Sequence, residues 1–521
     1  MSIGFTGAWF TTFGHLELVE IGTTVTGAYA HKGGRIEGTR EGALLRARWR
    51  ETEREGTCEL TLDPGDNVFR GGWSYDGESE RSGVWTGVRL ALPAAEDGGM
   101  PGAGNSLREG PVLAGPMAGE CGETDAFIWA QARDISPITL VVDGHDEGLI
   151  RRLALPVWDE WLCVVFHVEG LAPGTTYTYT VESDHGTTAP QRFRTAPPPE
   201  ARRARIAFGS CFWDHVDPNL AIFDSIRRER PDLFLMIGDN CYYGEPDWQS
   251  QHTMMLAQLR SRNSVPLRRL LAEVPVLGIW DDHDFGPNDS DGSFTGKPTA
   301  KQVFCRVWAQ RAYGTRDVPG IFSVVRWGPV EIFLTDGRWY RQEKRHILGD
   351  AQLAWLCGRL RASDARVKLL VSGSQILPEA AVGLEWECWR RDAPGELAAL
   401  TAYIEQHDIR GVVFASGDVH LGYLLHATGR SLGQNRRGPD LWELTASPLA
   451  NEPWHETITG LGLRDPYLVS EHATHNYGLL DVDLDRAGAE IRLVLADAHG
   501  RPLVSQPIAL ESLRVRDDDV A

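Results

Sequence analysis

Five short polar clusters carry residue types able to do chemistry: Gly209-Ser210-Cys211, Gly238-Asp239-Asn240-Cys241-Tyr242-Tyr243, Asp281-Asp282-His283-Asp284, Asp336-Gly337-Arg338-Trp339-Tyr340-Arg341 and Ser416-Gly417-Asp418-Val419-His420. Each follows a short apolar run, so each places carboxylate, imidazole, thiol, phenol or guanidinium just past a buried strand. A single aspartate in such a place is usually a helix cap or turn former. A whole set in one stretch of chain exceeds what capping needs and points to one shared polar site. Carboxylate and imidazole are metal-ligand types, thiolate and phenolate add anionic, polarisable donors, and guanidinium groups hold oxyanions.

For these clusters to meet, their strands must end on one edge of a layered domain. After Arg205 the runs RIAFGS, DLFLMIGDN, VPVLGIWDD, VEIFLTD, VKLLVSGSQ and GVVFASGDVH alternate with helical stretches at 248–272, 299–313, 350–362 and 395–407. That pattern predicts an α/β domain over 203–515. Residues 1–100 alternate apolar and polar between glycine turns and predict a small antiparallel β barrel. Its aromatics Trp9, Tyr29, Trp49, Phe69, Trp73 and Trp85 suit a core, or a sugar or lipid pocket, and Trp9 and Phe10 are candidates for an exposed contact. A Pro- and Gly-rich linker follows at 92–111. Strands return over 112–198, where LAPGTTYTYTV resembles the tyrosine-corner region of a fibronectin III-like β sandwich.

The 521 residues exceed what one core organises, so a multidomain chain is expected. Lys+Arg 52 against Asp+Glu 72 gives a formal net charge of -20, which argues against a nucleic-acid or anionic-membrane surface. The eight cysteines show no CxxC spacing and read as reduced and buried. No apolar run is long enough to span a membrane and no leader pattern opens the chain, which predicts a cytoplasmic protein. No heptad or long apolar edge speaks to oligomeric state, and RVRDDDVA reads as a solvated tail.

In the order GSC, GDNCYY, WDDHD followed by ND, TDGRWYR, LGDAQLAWL, SGSQ and SGDVH, the chain resembles the PhoD-like (alkaline phosphatase D) branch of the metallophosphoesterases. The resemblance spans about 115–510 and says nothing of residues 1–100. It implies a four-layer αββα catalytic domain and a dinuclear metal centre. Cys211, Asp239, Tyr242 and His420 would hold one ion, iron(III), with Asp239 bridging to a second held by Asp239, Asp282, Asn288 and Asp418. Oxygen donors suit calcium there, or manganese, zinc or magnesium. His283 would stabilise charge or protonate the leaving alkoxide, with Asp284 orienting it, and Arg338 and Arg341 are candidates to hold phosphate, Arg338 being favoured.

The implied activity is hydrolysis of a small phosphorylated substrate, monoester or diester, by a hydroxide shared between the two ions attacking phosphorus in line. A specialised phosphodiesterase, phospholipase D-like or biosynthetic phosphate-removing hydrolase fits the same motifs, and an inactive carbohydrate- or lipid-binding protein is the rival of another class. Several alternatives stay open among the residues. Cys211 could be a plain buried thiol, and Tyr243 rather than Tyr242 could point inward. Trp386 and Trp389 could stack on an aromatic leaving group or close the core. His426, His472 and His475 could return near the site. Ser210 lacks the GxSxG setting of a nucleophile.

Overall fold

The computed structural model describes residues 4–515 except 12, 30, 53, 63–67, 78–81, 91–109, 145–147, 158–159, 214–220, 244–246, 380–385, 429–437 and 486–489. Most of the 92–111 linker and the acidic C-terminal tail therefore lie outside the described residues. The chain is multidomain and mostly β.

Strands from Gly7–Thr11 to Gly83–Leu90 each pair antiparallel with the next, and the last returns to the first, with Ala8 opposite Leu90 and Thr11 opposite Gly87. The result is a closed barrel, which leaves no unpaired edge. Glu55–Leu62 shows why it closes: alternate side chains are exposed and buried along its whole length, the period-two pattern of a sheet with one wet and one dry face. Trp9, Tyr29, Trp49, Phe69 and Trp85 fill the interior, none more than 4% exposed. Trp9 is thus not an outward contact: it is fully buried under the Arg89 guanidinium, 4.0 Å from its ring. The side chain of Phe10 lies outside the described residues.

Residues 112–194 form two antiparallel sheets. One joins Val112–Cys121, Asp125–Ala132 and Cys163–Glu169, and the other is built on Ile138–Asp143 and Thr176–Ser183. The Tyr177 hydroxyl turns back to accept the Ala172 amide at 2.7 Å. The first sheet packs on the next domain so closely that a Cβ on Gly119 would stand 2.1 Å from the Ala309 carbonyl oxygen. Arg311 fastens the seam through Glu120 at 3.0 Å and Asp125 at 2.7 Å, and Arg70 ties the barrel to Asp247 at 2.8 Å.

The rest carries two sheets. One runs Val276–Ile279, Leu233–Ile237, Arg203–Gly209, Asn476–Asp483, Glu490–Asp497, Pro502–Ala509; the other contains Val330–Leu334, Val367–Val371 and Val412–Ser416 as parallel neighbours. Leu233–Ile237 and Val412–Ser416 are buried at every position, as strands covered on both faces must be. The stretch predicted as one helix over 248–272 is two, Gln251–Arg262 and Val265–Leu271, because Pro266 suits the first turn of a new helix and cannot continue an old one. The helix predicted over 299–313 is Lys297–Val307. It stops where Trp308 turns extended and lays its ring over Gly278, whose missing Cβ would lie 2.4 Å from that ring.

Candidate metal centre

Three parallel neighbours, Arg203–Gly209, Leu233–Ile237 and Val276–Ile279, deliver Cys211, Asp239 and Asp282 from their carboxyl ends, and Val412–Ser416 delivers Asp418 and His420 from the other sheet. The turns that follow are strained. Cys211, Asp239, Asp418 and His420 all hold left-handed φ, at 59°, 51°, 75° and 48°, and Asp289 joins them at 57°. Non-glycine residues adopt such backbone reluctantly, at about 1–3 kcal/mol each, and keep it where the surroundings enforce it, commonly at functional sites. Gly238, at φ 112°, is required because a Cβ there would stand 2.7 Å from that of Asp281.

These turns bring the donors into contact. Cys211 Sγ lies 3.4 Å from Asp239 Oδ2 and 3.3 Å from the Asp418 carbonyl oxygen. The Tyr242 hydroxyl donates to Asp239 Oδ2 at 3.1 Å and stands 3.3 Å from His420 Nε2. These are pairwise hydrogen-bond contacts that link Cys211, Asp239, Tyr242 and His420 into one buried cluster. His420 Nδ1 is 2.9 Å from the Glu452 carbonyl, an acceptor only, which puts the proton on Nδ1 and leaves the Nε2 lone pair facing this cluster. Burial lowers the His420 pKa to about 4, which keeps the ring neutral. Tyr243 points elsewhere: its hydroxyl accepts from Gln258 Nε2 at 3.1 Å.

Asp239 Oδ1 faces the other way and accepts the His283 amide at 3.2 Å. On that side ligand atoms of Asp239, Asp282 and His283 lie within 4.8 Å of one another, as do those of Asp281, Asp282 and Asp418, and of Asp282, Asp289 and Glu387. Burial first, then the charges of Asp282 and Asp281, push the Asp239 and Asp418 pKa values well above the carboxylate range. Burial pushes Asp281 up to about 6. Burial works the same way on Asp282, but Arg338 and then His283 outweigh it and bring it to about 2. Asp281 Oδ2 and Asp282 Oδ1 are buried without a hydrogen-bond partner. Crowded, under-satisfied carboxylates beside a neutral imidazole fit cations well.

The centre opens into a cavity of about 850 Å³ whose walls include Asp239, Asp282, His283, Asn288, Arg341, Asp418 and His420. Two expectations are corrected here. Arg338 does not face the cavity: it is 0% exposed, with Nε on Asp281 at 2.5 Å, Nη2 on Glu387 at 2.5 Å and Nη1 on the Ser290 carbonyl at 3.3 Å. Asp336 turns it inward by accepting the amides of Arg338 and Trp339, at 3.0 and 2.9 Å. Asp284 does not orient His283. Adjacent helical side chains diverge, and Asp284 instead takes the amides of Asp239, Asn240 and Asp281 at 3.2, 3.1 and 2.7 Å. It braces the turn that carries Asp239.

The sequence reading gave Asp281, Asp289 and Glu387 no ligand role, although Asp281 stands in a named cluster. Asp281 and Asp289 are each one residue from a named candidate, so the WDDHD and ND runs were their signal; Glu387 lies in a segment with no strand before it and gave none. Ser210 is 1% exposed and donates to the Ala446 carbonyl, so it offers no nucleophile. Trp389 is core, its Nε1 donating to Ser372 Oγ at 3.0 Å, while Trp386 lines the cavity. His426 stacks on Trp442, and His472 Nε2 is 2.8 Å from Ser470 Oγ. His475 Nε2 is buried without a hydrogen-bond partner.

A layered α/β domain here gathers buried carboxylates, imidazole, thiol and phenol at its strand ends, the donor types of a metal site. The profile of the PhoD-like phosphatases matches residues 206–492, and the chain belongs to that family. A domain of unknown function (DUF7800) matches residues 109–201. Among the solved structures that share the fold are these two. One is a PhoD, 16% identical, with a TM-score of 0.62 over 75% of this chain and 91% of its own. The other is the purple acid phosphatase PPD1 from yellow lupin (Lupinus luteus) seeds, 11% identical, with a TM-score of 0.59 over 87% of this chain and 82% of its own. No curated protein matches. Among the described residues no helix is long and apolar enough to cross a membrane.

Proposed function

We propose that the protein hydrolyses small phosphoesters, monoester or diester, at a dinuclear metal centre, on a four-layer αββα domain preceded by a fibronectin III-like sandwich. The observation that carries the reading is the position of Asp239: its Oδ2 meets Cys211 and Tyr242, and its Oδ1 faces the turn that carries Asp282 and His283. Cys211, Asp239, Tyr242 and His420 hold one ion. Asp239, Asp282, Asn288 and Asp418 hold the second, with Asp281 behind them. Thiolate and phenolate favour iron(III) in the first place, and oxygen donors favour calcium or another hard divalent ion in the second.

Bound there, the two ions supply hydroxide from water near neutral pH and positive charge against the phosphoryl oxygens. The chain supplies the rest. His283 lies with its ring 4.3 Å from that of Tyr242 and its Nε2 3.9 Å from Asp282 Oδ2. From the cavity wall it protonates the leaving alkoxide. Arg341 lines the cavity, as does Arg391, and holds a non-bridging oxygen, steadied by Glu387 at 2.9 Å and by Asp392. Arg338 acts behind the wall, fixing Asp281 and Asp282.

The test is turnover of a chromogenic phosphodiester and its matching monoester by metal-loaded protein. Hydrolysis of either supports the reading; hydrolysis of neither, with both metals bound, overturns it. In the same preparation a tyrosinate–iron(III) bond gives a visible charge-transfer band that Tyr242→Phe removes. A colourless protein without iron moves the assignment to manganese, zinc or calcium.

A further inference from the structure

Two of the described tryptophans are more than a third exposed, Trp213 at 38% and Trp454 at 47%, and both stand at this centre. Trp213 stacks on Tyr242 with ring centroids 5.5 Å apart. Trp454 lines the cavity together with Trp386, their centroids 5.2 Å apart and their planes tilted by 31°. An indole left about half in water at the mouth of a polar cavity forgoes apolar burial that a ligand covering it would recover.

The backbone fixes this pair relative to the reaction centre. Trp454 donates its amide to the His420 carbonyl at 3.2 Å, and the carbonyl of Glu452, two residues earlier, receives His420 Nδ1 at 2.9 Å. The turn that orients the imidazole therefore also sets the indole. Trp386 precedes Glu387, which binds Arg338 and Arg341 at 2.5 and 2.9 Å. The two rings are thus held by the contacts that hold the centre itself, and both line its cavity.

We propose that Trp386 and Trp454 are specificity-determining residues that stack on a flat ring in the alcohol portion of the substrate, so that the preferred substrate is a phosphoester of a ring-bearing alcohol. This rests on the phosphoesterase reading above. In the reaction the oxygen of water forms a new bond to phosphorus as the bond from phosphorus to the ring-bearing alcohol's oxygen breaks. That oxygen leaves with a proton, and nothing is oxidised or reduced. The indoles touch only the ring, so they act on substrate binding.

Benzyl and ethyl phosphoesters, compared as monoesters and as methyl diesters, present alcohols of similar acidity that differ in the ring. Metal-loaded wild type is expected to show kcat/KM about tenfold higher for benzyl, equivalent to about 1.4 kcal/mol, within the range of stacking on one aromatic side chain. The difference is carried by KM. Trp454→Ala, with wild-type metal content, brings the benzyl-to-ethyl ratio below about twofold, and Trp454→Phe, which keeps a ring, retains most of it. A ratio near one in wild type, or a ratio unchanged in both Trp454→Ala and Trp386→Ala, overturns the proposal. Turnover of neither ester instead overturns the phosphoesterase reading and takes this proposal with it.

Discussion

Asp239→Asn is expected to empty both metal positions and lower turnover by at least about 10³-fold, the scale of several kcal/mol of lost charge stabilisation. Asparagine keeps the shape and can still accept the His283 amide, which Asp239 Oδ1 receives at 3.2 Å. It then turns an amide nitrogen, which ligates poorly, toward Cys211 and Tyr242. Burial and the neighbouring carboxylates hold the Asp239 pKa well above the usual range, so metal-free protein loses stability as pH rises above the unfolded carboxylate value, where the fold must either hold this proton or bury the charge. Removing that charge should leave metal-free Asp239→Asn melting no lower than metal-free wild type at pH 7, which separates lost ligation from misfolding. His283→Ala should behave differently, keeping both metals and losing about 10²–10⁴-fold in turnover, as befits a proton donor. Elemental analysis beside steady-state rates checks both, and equal metal content with equal rates in the two variants contradicts the assignment.

Arg338→Leu is expected to destabilise the protein by about 3–5 kcal/mol, the cost of leaving buried charges without their partner. Asp281 and Asp282 are 1% and 4% exposed at their side chains, and Glu387 11%. Each loses the guanidinium that balances it. Asp282 owes its pKa of about 2 to Arg338 above all its other neighbours; because that pKa is depressed, the stability it contributes is present at neutral pH and is lost only as pH falls toward 2. Arg338→Lys restores part of the loss, since one ammonium cannot reach Asp281 and Glu387 together with the planar fork of an arginine. Urea denaturation of each variant measures this, and a loss below about 1 kcal/mol for Arg338→Leu shows that the network does not depend on its cation.

Much of this candidate site was legible because each polar cluster follows a strand whose apolar run stands out. Asp239 after DLFLMIG and Asp418 after VVFASG could hardly be placed anywhere but at a carboxyl edge. The barrel was likewise readable from its period-two alternation. Direction was harder. TDGRWYR offered two arginines three apart, and only the turn made by Asp336 decides that Arg338 points into the protein while Arg341 faces the cavity. Asp284 looked like a partner for His283 because it is adjacent in sequence, which on a helix means pointing elsewhere. Trp386 was legible as a candidate to stack on a leaving group, and it lines the cavity; Glu387 beside it carried no such signal, and only the folded chain brings it to the centre. The outward reading of Trp9 failed for a related reason: in a short strand, inside and outside are set by a register that one residue reverses.

The number of metal ions that activity requires tests the central claim most directly. Protein stripped with a chelator and titrated with iron(III) and a hard divalent ion should recover hydrolysis of a chromogenic phosphodiester only as the second equivalent per chain is taken up, with Asp239→Asn inactive throughout. Full turnover with no metal, or with one equivalent per chain, would contradict a dinuclear centre bridged by Asp239.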